Sequence, residues 1–234
     1  MEVEKENQRS SVYNQLRMQI LKLDIRPGER LSENILSSQM KVSRTIVRDA
    51  LSRLVDEGYI VVYPQRGTEV TLLDSERIRQ AVLSHSVLEQ AIIKEICSQG
   101  LDQPQIEQLE AVLSYQKYEA KENNPINFLL VENQFSYLLS VFCGREYVWE
   151  IFRTMDCDLL RLNYLQYTTF NYKTDMSSLT SLEYVQVERR LLLDNLKSQD
   201  TEAAGLLCAN HFNTILWNAG TLRGIYPQYF SGQA

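Results

Sequence analysis

The sequence predicts a mainly α-helical chain in two unequal parts: a helical unit closed by a short β-hairpin over residues 10–72, and an all-helical bundle over 75–222. Three observations predict it. Apolar residues recur at three- and four-residue spacing through most of the chain. The β-rich runs Ile60 to Tyr63 and Thr68 to Leu72 stand side by side around Pro64-Gln65-Arg66-Gly67. After Asp74, a helix-capping residue type, no strand pattern returns.

Residues 1–9 are charged and poor in apolar groups, which predicts disorder. Val12, Leu16, Ile20 and Leu23 form the stripe of a first, supporting helix that Arg26-Pro27-Gly28 ends. Ser32 is placed to cap a second helix with Ile35, Leu36 and Met40 inward, and Lys41-Val42 forms a turn. Ser43 then caps a third helix whose inward positions are Ile46, Val47, Ala50, Leu51, Leu54 and Val55. Arg44, Thr45, Arg48 and Ser52 are left facing outward. Two exposed guanidiniums beside a helix N-terminus oppose the macrodipole, but they suit phosphate oxygens and guanine edges. Two short helices, a tight turn and a two-stranded wing therefore read as a winged helix-turn-helix, with Arg66 and Gly67 at the wing tip able to approach the DNA backbone or minor groove.

Composition sets the outer limits. With 234 residues, 44% hydrophobic and 23% charged, the chain has room for one large domain or two ordinary ones. No apolar run reaches the ~18 residues that would cross a bilayer, and the acidic, polar start is unlike a secretory signal, so no membrane association and a cytoplasmic location are expected. Cys97, Cys143, Cys157 and Cys208 lack metal-site spacing and read as reduced core residues. The net charge of −6 argues against a protein that coats DNA non-specifically, yet it is unevenly spread. Residues 1–72 carry eleven Lys and Arg against ten Asp and Glu, and 73–234 carry thirteen against twenty. Positive charge thus gathers where a groove-reading helix needs it.

At Ser43-Arg44-Thr45-Ile46-Val47-Arg48-Asp49-Ala50-Leu51, with Pro27-Gly28-Glu29-Arg30-Leu31-Ser32-Glu33 before and Glu57-Gly58 and Arg66-Gly67-Thr68 after, the chain resembles the winged helix-turn-helix of GntR-family transcriptional regulators. The resemblance implies a sequence-specific regulator of double-stranded DNA, acting as a homodimer on a near-palindromic operator. Arg44 and Arg48 would reach bases or phosphates, Ser43 and Thr45 would bind phosphates, and Arg66 with Gly67 would contact DNA from the wing. A winged helix that docks a protein partner, with no small-molecule effector, is the alternative, and it leaves Arg44 and Arg48 as solvated charge. An enzyme is disfavoured, because no nucleophile elbow, phosphate loop or paired-His motif is present.

Residues 73–80 carry the linker and the start of the bundle, and helices are predicted over 75–98, 103–122, 126–143, 146–167, 181–198 and 201–217, with a polar break over 168–180 and a C-terminal tail over 223–234. Four of them place one ionisable residue within an apolar stripe: His85, Glu132, Arg189 and His211. An unpaired buried charge is costly, so these residues should converge on each other, on water or on a ligand. The bundle also resembles the FCD effector domain of the FadR branch of GntR regulators, on Ile78-Arg79, Leu88-Glu89, Phe135, Leu193-Asp194, Ala203-Ala204 and Asn210-His211-Phe212. That resemblance implies a divalent metal held by an Asp and three His, with an Arg steering an organic acid onto it. Here Glu132 replaces the Asp, Ser136 the first His and Arg189 the second. His211 is retained, and His85 stands where the Arg is usual. A guanidinium in a ligand position repels a divalent ion. The expectation is no metal cofactor, and a small anionic effector such as a carboxylate bound directly by Arg189 and His211, with His85 and Glu132 beside them. A Glu–Arg–His cluster that only fixes the bundle, and a rearranged zinc or nickel site of His85, Glu132 and His211, stay open as alternatives.

Overall fold

The computed structural model describes residues 2–173 and 179–232. Two helical units meet along one seam. The first holds α1 (Glu2–Leu21), α2 (Glu33–Met40) and α3 (Arg44–Asp56), with the strands β1 (Arg30–Leu31), β2 (Ile60–Tyr63) and β3 (Gly67–Val70). The second holds α4 (Ser75–Gln99), α5 (Gln103–Lys121), α6 (Pro125–Phe142), α7 (Glu146–Arg153), α8 (Cys157–Thr169), α9 (Ser181–Lys197) and α10 (Thr201–Ile225). No described helix is long and apolar enough to cross a membrane.

In the first unit the predicted stripes close on one core of Val12, Leu16, Ile20, Leu36, Val47, Ala50, Leu51 and Leu54. Ser43 caps α3 by accepting a bond from the Ile46 amide at 3.4 Å. Gly58, at φ +79°, ends α3 in the left-handed region, where an L side chain is strained. The wing is antiparallel with Ile60 opposite Val70 and Tyr63 opposite Gly67, and the turn closes with the Arg66 amide on the Tyr63 carbonyl.

Four expectations need correction here. The first helix begins at Glu2, so described residues 2–9 are helical where disorder was predicted. Glu, Lys, Gln and Arg are good helix formers, and a helix nucleated at the packed Val12 and Leu16 extends backwards at little cost. The sheet has three strands, because Arg30 and Leu31 pair with Glu69 and Thr68. Ser32 precedes α2 in the N-cap position without a side-chain cap bond. Ile35 and Val55, both read as inward, are exposed.

The bundle core runs from Ile78, Val82 and Ile92 on α4 through Leu109, Phe135, Leu139, Leu162 and Leu192 to Ala204, Phe212 and Ile215 on α10. All four cysteines are buried with free thiols. The predicted helix 146–167 is two helices, interrupted between Thr154 and Asp156. Thr154 Oγ1 donates to the Ile151 carbonyl at 2.7 Å, a local bond that competes with the helix ladder. Helix α10 continues to Ile225, past its predicted end at Trp217. The described part of the tail is docked: a 3₁₀ turn over Pro227–Tyr229 leads to buried Phe230, and the Leu73 amide and carbonyl bond Tyr229 and Ser231. Of the polar break, 168 and 169 still belong to α8, and 174–178 lie outside the described residues.

The two units exchange side chains. Leu21 of α1 packs with Phe128, Leu129, Tyr167, Leu182 and Val185 of the bundle, and Cys157 of α8 sits in the core of the winged unit.

Candidate functional site

The recognition face is open. Ser43, Arg44, Thr45, Arg48, Arg66 and Gly67 are all exposed, the first four along the start of α3 and the last two at the wing turn. Gly67, at φ +101°, has open space where a Cβ would stand. One partner was missed in the sequence. Glu33, at the start of α2, accepts from Arg48 Nε at 3.2 Å and Nη2 at 2.8 Å, and Arg44 Nη2 lies 3.6 Å away. The Arg48 bonds hold the Glu33 carboxyl below the usual carboxylate range. Both guanidiniums are therefore gathered at one corner of the helix-turn-helix, over the positive end of α3.

Inside the bundle, three of the four predicted polar residues meet. Arg189 Nη1 donates to Glu89 at 3.4 Å, and Nη2 donates to Glu132 at 3.3 Å and lies 3.2 Å from His211 Nε2. Burial opposes the Arg189 charge, but Glu89 and Glu132 outweigh it and raise its pKa. His211 Nδ1 is 3.3 Å from Glu188, so a proton on Nδ1 lets the ring donate to Glu188 and accept from Arg189. Glu132 also accepts from the Tyr167 hydroxyl at 2.6 Å; burial first, then that carboxylate, pushes the Tyr167 pKa well up.

His85 stands apart from that contact set. Its Nε2 lies 2.6 Å from Asp156 Oδ1, and its ring packs edge-on against Trp149. It still faces the same cavity, a space of about 30 Å³ lined by His85, Glu89, Glu132, Asn163, Arg189 and His211 among others. Two buried polar atoms of that lining, Asn163 Oδ1 and Arg189 Nε, have no hydrogen-bond partner among the described residues.

Sequence reasoning missed Glu89, Asp156, Asn163, Tyr167 and Glu188 as members of the site. Glu89 follows His85 by one helical turn, and Asn163 and Tyr167 are one turn apart on α8, so their spacing carried a signal. Asp156 was hidden inside a helix predicted to be continuous.

A guanidinium stands among the groups that would have to hold a divalent metal. Arg189 lies within 3.4 Å of Glu89, Glu132 and His211, and so fills the place a cation would take among them. Among the described residues no group of three or more His, Cys, Asp or Glu could hold a metal ion.

Outside the cavity, across Asn133, Trp149, Asp156 and Leu160, which line both spaces, lies a groove of about 480 Å³. Its far wall is the winged unit, through Tyr13, Arg17, Glu57 and Tyr59.

Comparison with known proteins places this geometry in a family. Residues 8–70 match the description "Bacterial regulatory proteins, gntR family", and residues 76–214 match "FCD domain". The HTH-type transcriptional repressor RspR of Escherichia coli (strain K12) is 27% identical over 156 residues, 67% of this chain and 68% of that protein. A solved GntR transcriptional regulator from Rhodococcus sp. RHA1 shares the fold with a TM-score of 0.73 at 19% identity, covering 92% of this chain and 98% of its own. E. coli McbR/YncC does so with a TM-score of 0.69 at 20% identity, covering 95% and 98%. The chain is a DNA-binding transcription regulator and belongs to the GntR family, in the FadR branch that carries an FCD domain.

Proposed function

We propose that the protein is a cytoplasmic homodimeric repressor that reads a near-palindromic operator and releases it when a small carboxylate metabolite enters the bundle. The relative named a repressor, RspR, supports the sign of the response. Arg44 and Arg48 read bases or phosphates, Ser43 and Thr45 hold phosphates, and Arg66 with Gly67 touches DNA from the wing.

The observation that carries the effector reading is the looseness of Arg189. Its contacts of 3.2 to 3.4 Å are long for charge-assisted bonds, which lie nearer ~2.7–2.9 Å, and its Nε has no partner among the described residues. A guanidinium held this way can exchange a glutamate for an incoming carboxylate without losing its fork geometry. Asn163 Oδ1 and His211 offer further polar contacts, and His85 closes the other side. The cavity has room for only about two waters. A metabolite therefore enters by displacing the wall it shares with the groove, at Trp149 and Leu160. That groove lies against the winged unit, so its widening moves the reading head.

The test is operator binding by the full chain, with a duplex selected from a random library, titrated with a panel of carboxylate metabolites. Wild type loses affinity for DNA with at least one of them. Arg189→Lys keeps a cation between Glu89 and Glu132 but lacks the fork, so it binds DNA normally and no longer responds. By linkage, the same ligand binds the DNA-bound protein more weakly by the same factor. An unchanged response in Arg189→Lys overturns the assignment.

A further inference from the structure

Arg161 of α8 is a bundle residue whose guanidinium points out of the bundle. Its side chain has no exposed surface. Nη1 donates to the Thr71 carbonyl at 2.7 Å, and Nη2 donates to Thr71 Oγ1 at 2.9 Å and to Asp158 Oδ1 at 2.5 Å. Nε donates to the Cys157 carbonyl at 3.1 Å. Thr71 is the residue that follows the wing strand β3, and its hydroxyl lies 2.8 Å from the Gly58 carbonyl and 3.1 Å from that of Tyr59. One buried fork thus holds Thr71, where the chain leaves the winged unit for the bundle, and through the Thr71 hydroxyl the turn between α3 and β2.

One bundle carboxylate serves the anchorage. Asp158, itself buried, meets Arg161 with one oxygen, and its other oxygen lies 3.3 Å from Arg77 Nε of α4. Arg77 Nη2 donates to Cys157 Sγ at 2.9 Å, and Cys157 is packed into the winged unit's core. A lysine could keep the charge at position 161, but not three donors aimed at four acceptors in one plane. The shape of the contact therefore specifies orientation as well as attraction.

We infer that Arg161 is a positioning residue for DNA reading: it fixes the orientation of the winged unit on the helical domain, and thereby the separation at which two such units meet DNA. It touches no DNA itself. The inference rests on the homodimer reading above. Asp156, immediately before α8, faces His85 in the cavity, so the start of α8 carries both the cavity contact and the anchorage.

The experiment is selection of binding sites from a random duplex library with the full chain, followed by affinity measurements on the recovered site with one base pair inserted between its half-sites. Wild type recovers paired half-sites at one spacing and loses affinity on the insertion. Arg161→Met recovers the same half-site sequence, because the recognition helix is untouched, but with spread spacings and without the insertion penalty. Thr71→Val removes only the hydroxyl, shifts the result the same way, and decides alone if Arg161→Met does not fold. Intact spacing preference in the folded variants overturns the inference, as does loss of the half-site sequence itself. Isolated half-sites from wild type would remove the homodimer reading, and the inference with it.

Discussion

His85 and Asp156 face each other across 2.6 Å inside the bundle, one from α4 and the other from the turn between α7 and α8. Burial works against a charged imidazole, but the Asp156 hydrogen bond and charge, with the charge of Glu89, outweigh it and raise the His85 pKa. A raised native pKa contributes stability that is fully present below the unfolded value of about 6.5 and is lost as pH rises through the native value. Wild type should therefore lose stability relative to His85→Gln as pH rises from about 6 through that window. Urea unfolding at several pH values measures this. A pH-independent difference between the two proteins would contradict it.

Glu33 holds Arg48 by two hydrogen bonds where DNA would be met. Arg48→Ala should weaken operator binding roughly ten- to a hundredfold and flatten its salt dependence, the mark of a lost contact to a base or phosphate. Glu33→Gln should tighten binding to unrelated duplex DNA, because it releases two guanidiniums from a carboxylate. Fluorescence anisotropy on operator and scrambled duplexes separates the two effects.

Gly58 is both left-handed and crowded. A Cβ there would meet Arg77 Nη2 at 2.9 Å and Cys157 Sγ at 3.3 Å. Gly58→Ala should lower stability by about 1–3 kcal/mol, combining left-handed strain with displacement of Arg77. Thermal unfolding reads it, and an unchanged midpoint would show that the turn adapts freely.

Phe230 pins the linker through the backbone pairing of Leu73 with the C-terminal segment. Phe230→Ala should cost roughly 3 kcal/mol, as for other buried aromatic truncations. Faster proteolysis in the linker should accompany it.

Most helices of both units could be read from the sequence, because each presents a continuous apolar stripe that a tertiary partner then buries. The exposure of Ser43, Arg44, Thr45 and Arg48 was equally legible, since they fall outside the stripe positions of α3. The polar cavity was half legible. Glu132, Arg189 and His211 revealed themselves as charges on apolar faces, but the carboxylates that meet them come from other helices, and no single-helix periodicity pairs them. Asp156 escaped because the break at Thr154 depends on a side-chain bond to its own backbone. Arg161 lies between the apolar positions of α8, and nothing in that helix's own periodicity signals its burial, because the surface that buries it belongs to the winged unit, distant in sequence.

The central proposal is that Arg189 binds the effector directly, without a metal. Native mass spectrometry of the purified chain, beside Arg189→Lys, tests it most directly, since one spectrum reports both subunit number and retained mass. The account predicts a dimer without a divalent ion that carries an organic adduct, and an Arg189→Lys dimer without the adduct. A dimer with one divalent ion per subunit, or an adduct held equally by both proteins, would contradict it.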